Sequence, residues 1–429
     1  MNLYEMIRVD HWPNIRLLHQ QDRLAPIAAV EEHVREQAVN AVGIRPGMRV
    51  AVAVGSRGIN RLGEVMRGLL AGLRQAGARP FIVPAMGSHG GASAGGQIEV
   101  LQNLGIDEER MGVPVIRDIE TVVSARLRDG TPLYTLKSAL AADGIVLVNK
   151  IKSHTSFRGP CESGLIKMAV VGLGCHEGAM QFHALGFSKM GANLMNLGAL
   201  AIRSLPILFG LGLVENASGG IGAAEVIPGE RILTREPELL RLAKETALRI
   251  PFDSIDILVV RQIGKDISGD GMDPNVTGRF TPAEMIPDYS EVPRIYKIVV
   301  CDLSANAGGS GIGIGNADAT TQKAFDRINP EITYLNALSA TVTNTCMLPM
   351  ILPTEKNAIE AVVKTCRDIK PEMLRICIIR DTIHLQDLCV SEALVGREIS
   401  RCGVSYEPSS HELTFDEAGA LSLPDPEDP

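Results

Sequence analysis

The chain has 429 residues, 45% of them hydrophobic and 21% charged, with 42 basic against 50 acidic side chains and a net charge of −8. That length exceeds one ordinary hydrophobic core and predicts two domains, and the composition is that of a soluble globular protein. The acidic balance excludes nucleic acid or an anionic membrane as the main partner, since either needs a basic surface, but leaves room for a local basic pocket that holds a small anion.

The first residues, MNLYEMIRVDHWPNIR, carry charges and a Pro where a signal peptide needs an apolar run. No stretch approaches the ~20 apolar residues of a membrane span. Apolar runs bounded by Gly or Pro then read as buried strands at 48–54, 80–84, 144–149, 255–260, 295–301 and 374–379. Apolar residues recur at helical spacing over 61–76, 237–249 and 356–366. Strands alternating with helices of this length predict an α/β fold. Two domains are expected, each a mostly parallel or mixed sheet flanked by helices, with the active site in the cleft between them. The boundaries fall at 1–252 and 253–420, followed by a frayed tail, 421–429, with three Pro and three acidic residues. The Gly/Asp/Pro-rich stretch 264–287 reads as a long functional loop. Eight cysteines, at 161, 175, 301, 346, 366, 377, 389 and 402, form no CxxC pair. That pattern fits the reduced thiols of a cytoplasmic protein better than a disulfide framework.

In a parallel sheet, ligands gather at the carboxyl ends of the strands. The loop after 48–54 reads GSRG, and the forked donors of Arg57 suit a carboxylate or phosphate; a capping or surface-paired Arg fits the same pattern. The loop after 80–84 reads MGSHGGA, in which His89 stands between a Ser and two Gly, as a functional or a hydrogen-bonded loop histidine. The segment after 144–149 is the richest: KIKSHTSFRGPCESGLIK holds three Lys, one Arg, one His and one Glu in eighteen residues. Lys167 heads the apolar run 168–173, where partial burial frees an amine for covalent chemistry, unless the side chain snorkels to water. GCHEGAMQFH (174–183) offers two histidines, a cysteine and a carboxylate, with no HExxH or CxxC zinc pattern. SANAGGSGIGIG (304–315) is like a phosphate-cradling loop in composition only, and no acidic residue follows at dinucleotide-fingerprint spacing.

Through PAMGSHGGASAGGQ (84–97), ESGLIKM (162–168) and SGDGMDPNVTGR (268–279), the chain resembles the nickel-dependent lactate racemase family, in its less characterised branch. The resemblance runs through most of the chain and is clearest in its first 280 residues. It implies a racemase or epimerase of a 2-hydroxy acid, acting by reversible hydride transfer through a 2-oxo-acid intermediate. The implied cofactor is a nickel-pincer nucleotide, a nickel-bearing pyridinium thioamide/thiocarboxylate mononucleotide, held covalently by Lys167. His183, sixteen residues on, matches the nickel ligand. His89 and His154 match the two acid/base histidines, and Arg57, Gln262 and Lys265 match substrate-binding positions. The implied partners are the small hydroxy acid and separate maturation enzymes that load the cofactor, so a preparation can be apo; a homo-oligomer is compatible with all of this. The chain departs from the family in a longer interval between His154 and Lys167 and in Val54, where an Asp often stands three residues before the Arg. It departs again in its single Trp, Trp12, where the family places a Trp of the second domain near the substrate. The particular hydroxy acid is therefore open. Two other readings stand beside this one: an NAD-type hydroxy-acid dehydrogenase using the Gly-rich loops, and a non-catalytic small-anion or nucleotide-binding protein.

Overall fold

The computed structural model describes residues 2–56, 58–281, 292–366, 369–399 and 403–423. The chain forms two compact units, 23–247 and a second made of 1–22 with 248–429. Strand β1 (Asn14–Gln20) belongs to the second unit.

The 23–247 unit is built on β2 (Arg49–Val54), β3 (Arg79–Pro84), a separate antiparallel pair β4 (Thr121–Arg126) and β5 (Pro132–Leu136), then β6 (Gly144–Lys150), β7 (Ile207–Glu215) and β8 (Ile221–Pro228). Its main sheet runs β3-β2-β6-β7-β8, parallel throughout except for β8. The period-2 alternation of strands sorts side chains between two cores. Ala51 and Ala53 of β2 join Ile145 and Leu147 of β6 on one face, under the segment 165–173 and the helices Met190–Ser204 and Ile232–Thr246. Val50, Val52 and Val54 join Val146 and Val148 on the other, under the helices Val30–Val39 and Leu62–Gln75. A parallel strand covered on both faces has no solvent side, which is why these strands read as unbroken apolar runs.

The second unit carries β9 (Ser254–Val260), β10 (Arg294–Val300), β11 (Ala319–Thr321), β12 (Met350–Leu352), β13 (Ile376–Ile379), β14 (Asp387–Ser391) and β15 (Val404–Tyr406), in the order β12-β11-β10-β9-β13-β14-β1-β15. Strands β9 to β13 are parallel, and β14 and β1 add antiparallel strands at one side. The helix Glu355–Thr365 buries Ala358, Ile359 and Val362 in this unit's core.

The six strands expected from the apolar runs form within two residues of their predicted ends. Two expectations need correction. A first domain of 1–252 includes residues 1–22, yet Leu18 of β1 pairs with Leu388 of β14 and Tyr406 of β15. The helix expected from 237 starts at Ile232 and carries Pro237 inside it, because the ring forfeits only one backbone bond near the helix start. No helix among the described residues is long and apolar enough to cross a membrane.

Candidate functional site

Strands β3, β2 and β6 are neighbours in one parallel sheet, so the loops that leave their carboxyl ends share one edge of the 23–247 unit. Arg57, in the loop after β2, lies outside the described residues. The residues that follow it are fixed from two strands: Lys150 Nζ donates to Gly58 O at 3.0 Å and pairs with Glu215 at 2.6 Å, and Asn60 N–H donates to Glu215 Oε1 at 2.6 Å. Lys150 and Glu215 are only 19% and 14% exposed, which makes this a held loop and not a surface pair.

His89 follows β3, and its Nδ1 is hydrogen-bonded to the Ser56 hydroxyl of the β2 loop. The turn after it needs glycine: Gly90 has φ +65°, and a Cβ there would stand 2.5 Å from the Gly96 carbonyl carbon. Gln97 is fully buried and donates to Gly87 O at 2.9 Å, closing the loop.

His154, after β6, is tied on several sides. Its N–H donates to Glu162 Oε2 at 2.7 Å, its carbonyl accepts from the Arg158 guanidinium at 2.7 Å, and its ring lies 4.3 Å from that of Phe157. Its Nδ1 accepts the Ser156 N–H at 3.0 Å, and its Nε2 stands 2.5 Å from Lys167 Nζ. Glu162 is wholly buried, and its other oxygen accepts from Lys244 Nζ at 2.7 Å, so the buried carboxylate is satisfied from both sides.

Lys167 closes the short helix Leu165–Lys167 and leads into a π-helical turn, Met168–Gly172, a distortion often found at functional sites. Beneath the start of that helix lies Glu236, also wholly buried, whose Oε2 accepts the Ile166 N–H at 2.9 Å. Burial pushes its carboxyl up to about 7. His183 sits half-buried on the helix Cys175–Ala184. Burial chiefly, with any positive charge on Lys167 acting the same way, holds its imidazole below the ordinary value. On the same helix, burial pushes the Cys175 thiol up to about 12, His176 is exposed, and Glu177 accepts from the Thr121 hydroxyl at 3.1 Å.

Gln262 and Lys265 belong to the other unit and follow β9. The Gln262 N–H donates to Arg380 O at 2.9 Å. Lys265 Nζ donates to Asn336 Oδ1, and Asn336 Nδ2 donates to Ser310 Oγ at 3.1 Å, which joins Lys265 to the Gly-rich loop 304–315.

No protein-family model and no curated protein matches the sequence. Solved structures do. The lactate racemase apoprotein from Thermoanaerobacterium thermosaccharolyticum aligns over 85% of this chain and 94% of its own, with a TM-score of 0.50 and 13% identity. The chain has the lactate racemase fold. A protein from Thermotoga maritima aligns over 80% of this chain and 91% of its own, with a TM-score of 0.48 and 14% identity. Within this lactate racemase fold, the 23–247 unit brings His89 to Ser56, His154 to Lys167, and Lys167 within electrostatic reach of His183. Sequence reasoning missed Ser56, Lys244 and Glu236. It noted Glu162 only as one charge in a dense run.

Proposed function

We propose that this protein is a racemase or epimerase of a 2-hydroxy acid, working with a nickel-pincer nucleotide carried on Lys167. The observation that supports it most is the close pair of His154 Nε2 and Lys167 Nζ, 2.5 Å apart, with a half-buried, neutral-favouring His183 within electrostatic reach of Lys167. An amine can form the amide-type link, and a neutral imidazole is a ready ligand for nickel. Among the described residues no group of three or more His, Cys, Asp or Glu converges to hold a metal. A metal here would take its remaining ligands from a bound organic group, and a pincer is such a group. Lys167 would hold it and His183 would bind its nickel. When bound, the group supplies a hydride acceptor, so that the substrate C2–H need not leave as a proton.

The protein's own part is proton handling and orientation. The two enantiomers present opposite faces, so a base is needed on each side. His89 and His154 come from different loops, and each has its Nδ1 engaged, by the Ser56 hydroxyl and the Ser156 N–H respectively. Nε2 is then the nitrogen of each ring assigned to the substrate hydroxyl, and His154 acts as a base there only once the proton that its Nδ1 contact places on Nε2 has been given up. The roles of Arg57, Gln262 and Lys265 in holding the substrate are part of the same proposal and rest on the family resemblance, as does the need for maturation enzymes.

The test is intact-mass measurement of the protein co-expressed with those enzymes, with Lys167→Ala as control, followed by chiral chromatography of single-enantiomer 2-hydroxy acids. A nucleotide-sized adduct present only in the wild type, and racemisation that depends on it, are expected. No adduct, or one that persists in Lys167→Ala, overturns the reading. Net oxidation coupled to NAD would replace it with the dehydrogenase.

A further inference from the structure

The helix Pro330–Ala340 is apolar over more of its surface than its own unit covers. Its buried positions are Thr333 and Ala337, two small side chains. The large ones, Ile332, Tyr334, Leu335 and Leu338, are 38–67% exposed. By helical spacing, Tyr334, Leu335 and Leu338 share the side away from the buried pair. A helix that is apolar all round is ordinarily an interior one. The exposed surface continues along the chain. Thr341 and Val342 donate their N–H groups to Leu338 O and Ala337 O, both at 3.1 Å, which ties the next loop to the helix end. Beyond it Met347, Leu348 and Met350 are exposed as well. Met350 opens β12, the last strand of its sheet, which among the described residues has β11 on one side and no strand on the other.

Size and charge together choose the occupant. At ~200 Å² for a large residue, these exposures present on the order of 800 Å², the share that each partner brings to a standard interface of ~1,600 Å². The largest apolar patch of an ordinary monomer is smaller, ~300–600 Å². From 330 to 354 the chain has one charged residue, Glu331, and it lies in the first turn of the helix, where a carboxylate is favoured. A helix lying on a membrane would need Lys or Arg on its polar side, and a charged peptide would need an opposite charge here. An identical apolar face needs neither. We propose that this protein forms a two-fold dimer, the helix Pro330–Ala340 and residues 347–350 of one copy packing on the same residues of the other. The dimer goes beyond the proposed activity and does not depend on it. Its link to that activity is Asn336 of the same helix, which accepts from Lys265 Nζ, so docking braces the element behind a residue assigned to the substrate.

The experiment is sedimentation equilibrium of the full chain without cofactor, at ~20 µM, a concentration that populates any dimer of micromolar or tighter affinity. A mass of twice 46.0 kDa is expected. Leu335→Glu and Leu338→Glu each set two carboxylates into the apolar contact and should weaken the dimer by at least about 100-fold, returning the mass to 46.0 kDa. Val42→Glu changes an exposed apolar residue of the 23–247 unit and should leave the dimer intact. A wild-type chain that stays monomeric at ~100 µM overturns the proposal. So does a dimer that survives both leucine substitutions or is lost in Val42→Glu. Amide exchange of the wild type needs no variant to fold: residues 344–352 should exchange more slowly at ~100 µM than at ~0.1 µM. A dimer in which they exchange equally at both concentrations places the contact elsewhere and also overturns it. No nickel, nucleotide or hydroxy acid is present, so a monomer sinks this inference alone, and a missing adduct after co-expression sinks the racemase reading.

Discussion

Glu236 offers a test of the site's construction that needs no cofactor. It is a wholly buried carboxylate that accepts the Ile166 N–H, and burial raises its carboxyl from 4.5 to about 7. A folded-state value above the unfolded one means that the native state binds the proton more tightly. The resulting stabilisation is complete below 4.5 and is lost as pH rises through about 7. Between pH 5 and pH 8 the loss comes to roughly 2–3 kcal/mol. Glu236→Gln keeps an oxygen for the Ile166 N–H and cannot ionise, so it removes this slope and leaves the chain's other titrations in place. The 23–247 unit melts with about 2–4 °C per kcal/mol for its size. Wild-type Tm should therefore fall relative to the variant by roughly 5–10 °C from pH 5 to pH 8. Scanning calorimetry of both proteins at four pH values reads this difference directly. A gap between the two that stays constant with pH would refute the reasoning.

Glu162→Ala strips a buried carboxylate from Lys244 and from the His154 N–H, and should cost about 3–5 kcal/mol in urea unfolding; a loss under about 1 kcal/mol would mean the pair is not buried as described. Lys150→Ala releases the Gly58 carbonyl and leaves Glu215 without its amine, so amide exchange should rise over 58–60 while 165–172 keeps its protection. Unchanged exchange at 58–60 would count against that clamp. Phe182→Ala empties a fully packed site on the helix that carries His183 and should destabilise the unit by about 3–5 kcal/mol in the same assay. His183 itself should titrate by NMR with a midpoint below 6.5, since burial favours its neutral form; its contribution to stability is whole above 6.5 and lost as pH falls toward the folded value. A midpoint at or above 6.5 would be the contrary result.

What could be read of the fold from sequence follows from which strands lack a solvent face. Strands such as β2 and β6 are buried on both sides and stand out as apolar runs. β1, with the sequence NIRLLHQ, carries Arg16 and His19 on positions that reach acidic side chains of the same unit, Arg16 to Glu392 and His19 to Asp387 and Glu407. Its partners lie more than 360 residues away, and nothing local names them. β7 was hidden differently. Its glycines break the strand signal, yet Gly210 and Gly212 are there because a Cβ would stand 2.6 Å from Leu165 Cδ1 and 2.8 Å from Ile151 Cδ1. The residues that look like strand breakers let the segment carrying Lys167 pack against the sheet.

The candidate site divides in the same way. His89, His154, Lys167 and His183 were legible because each sits in a short run whose chemistry is dense for its length. Ser56 and Lys244 were not, since a serine after a strand and a lysine on a charged helix are ordinary until the fold turns them toward a partner. Glu236 is the instructive case. In the helix Ile232–Thr246 the buried positions are Ile232, Glu236, Leu239, Leu240 and, at its end, Thr246, spacings that define one helical stripe, so Glu236 is a carboxylate on a largely apolar face. A charge in that place is a signal that sequence alone can carry. A helix read from Pro237 onward leaves Glu236 outside the helix and Ile232 outside the stripe, which hides that signal. The proline's single missing N–H, tolerable this close to the helix start, hid the residue that supports the start of the Lys167 helix.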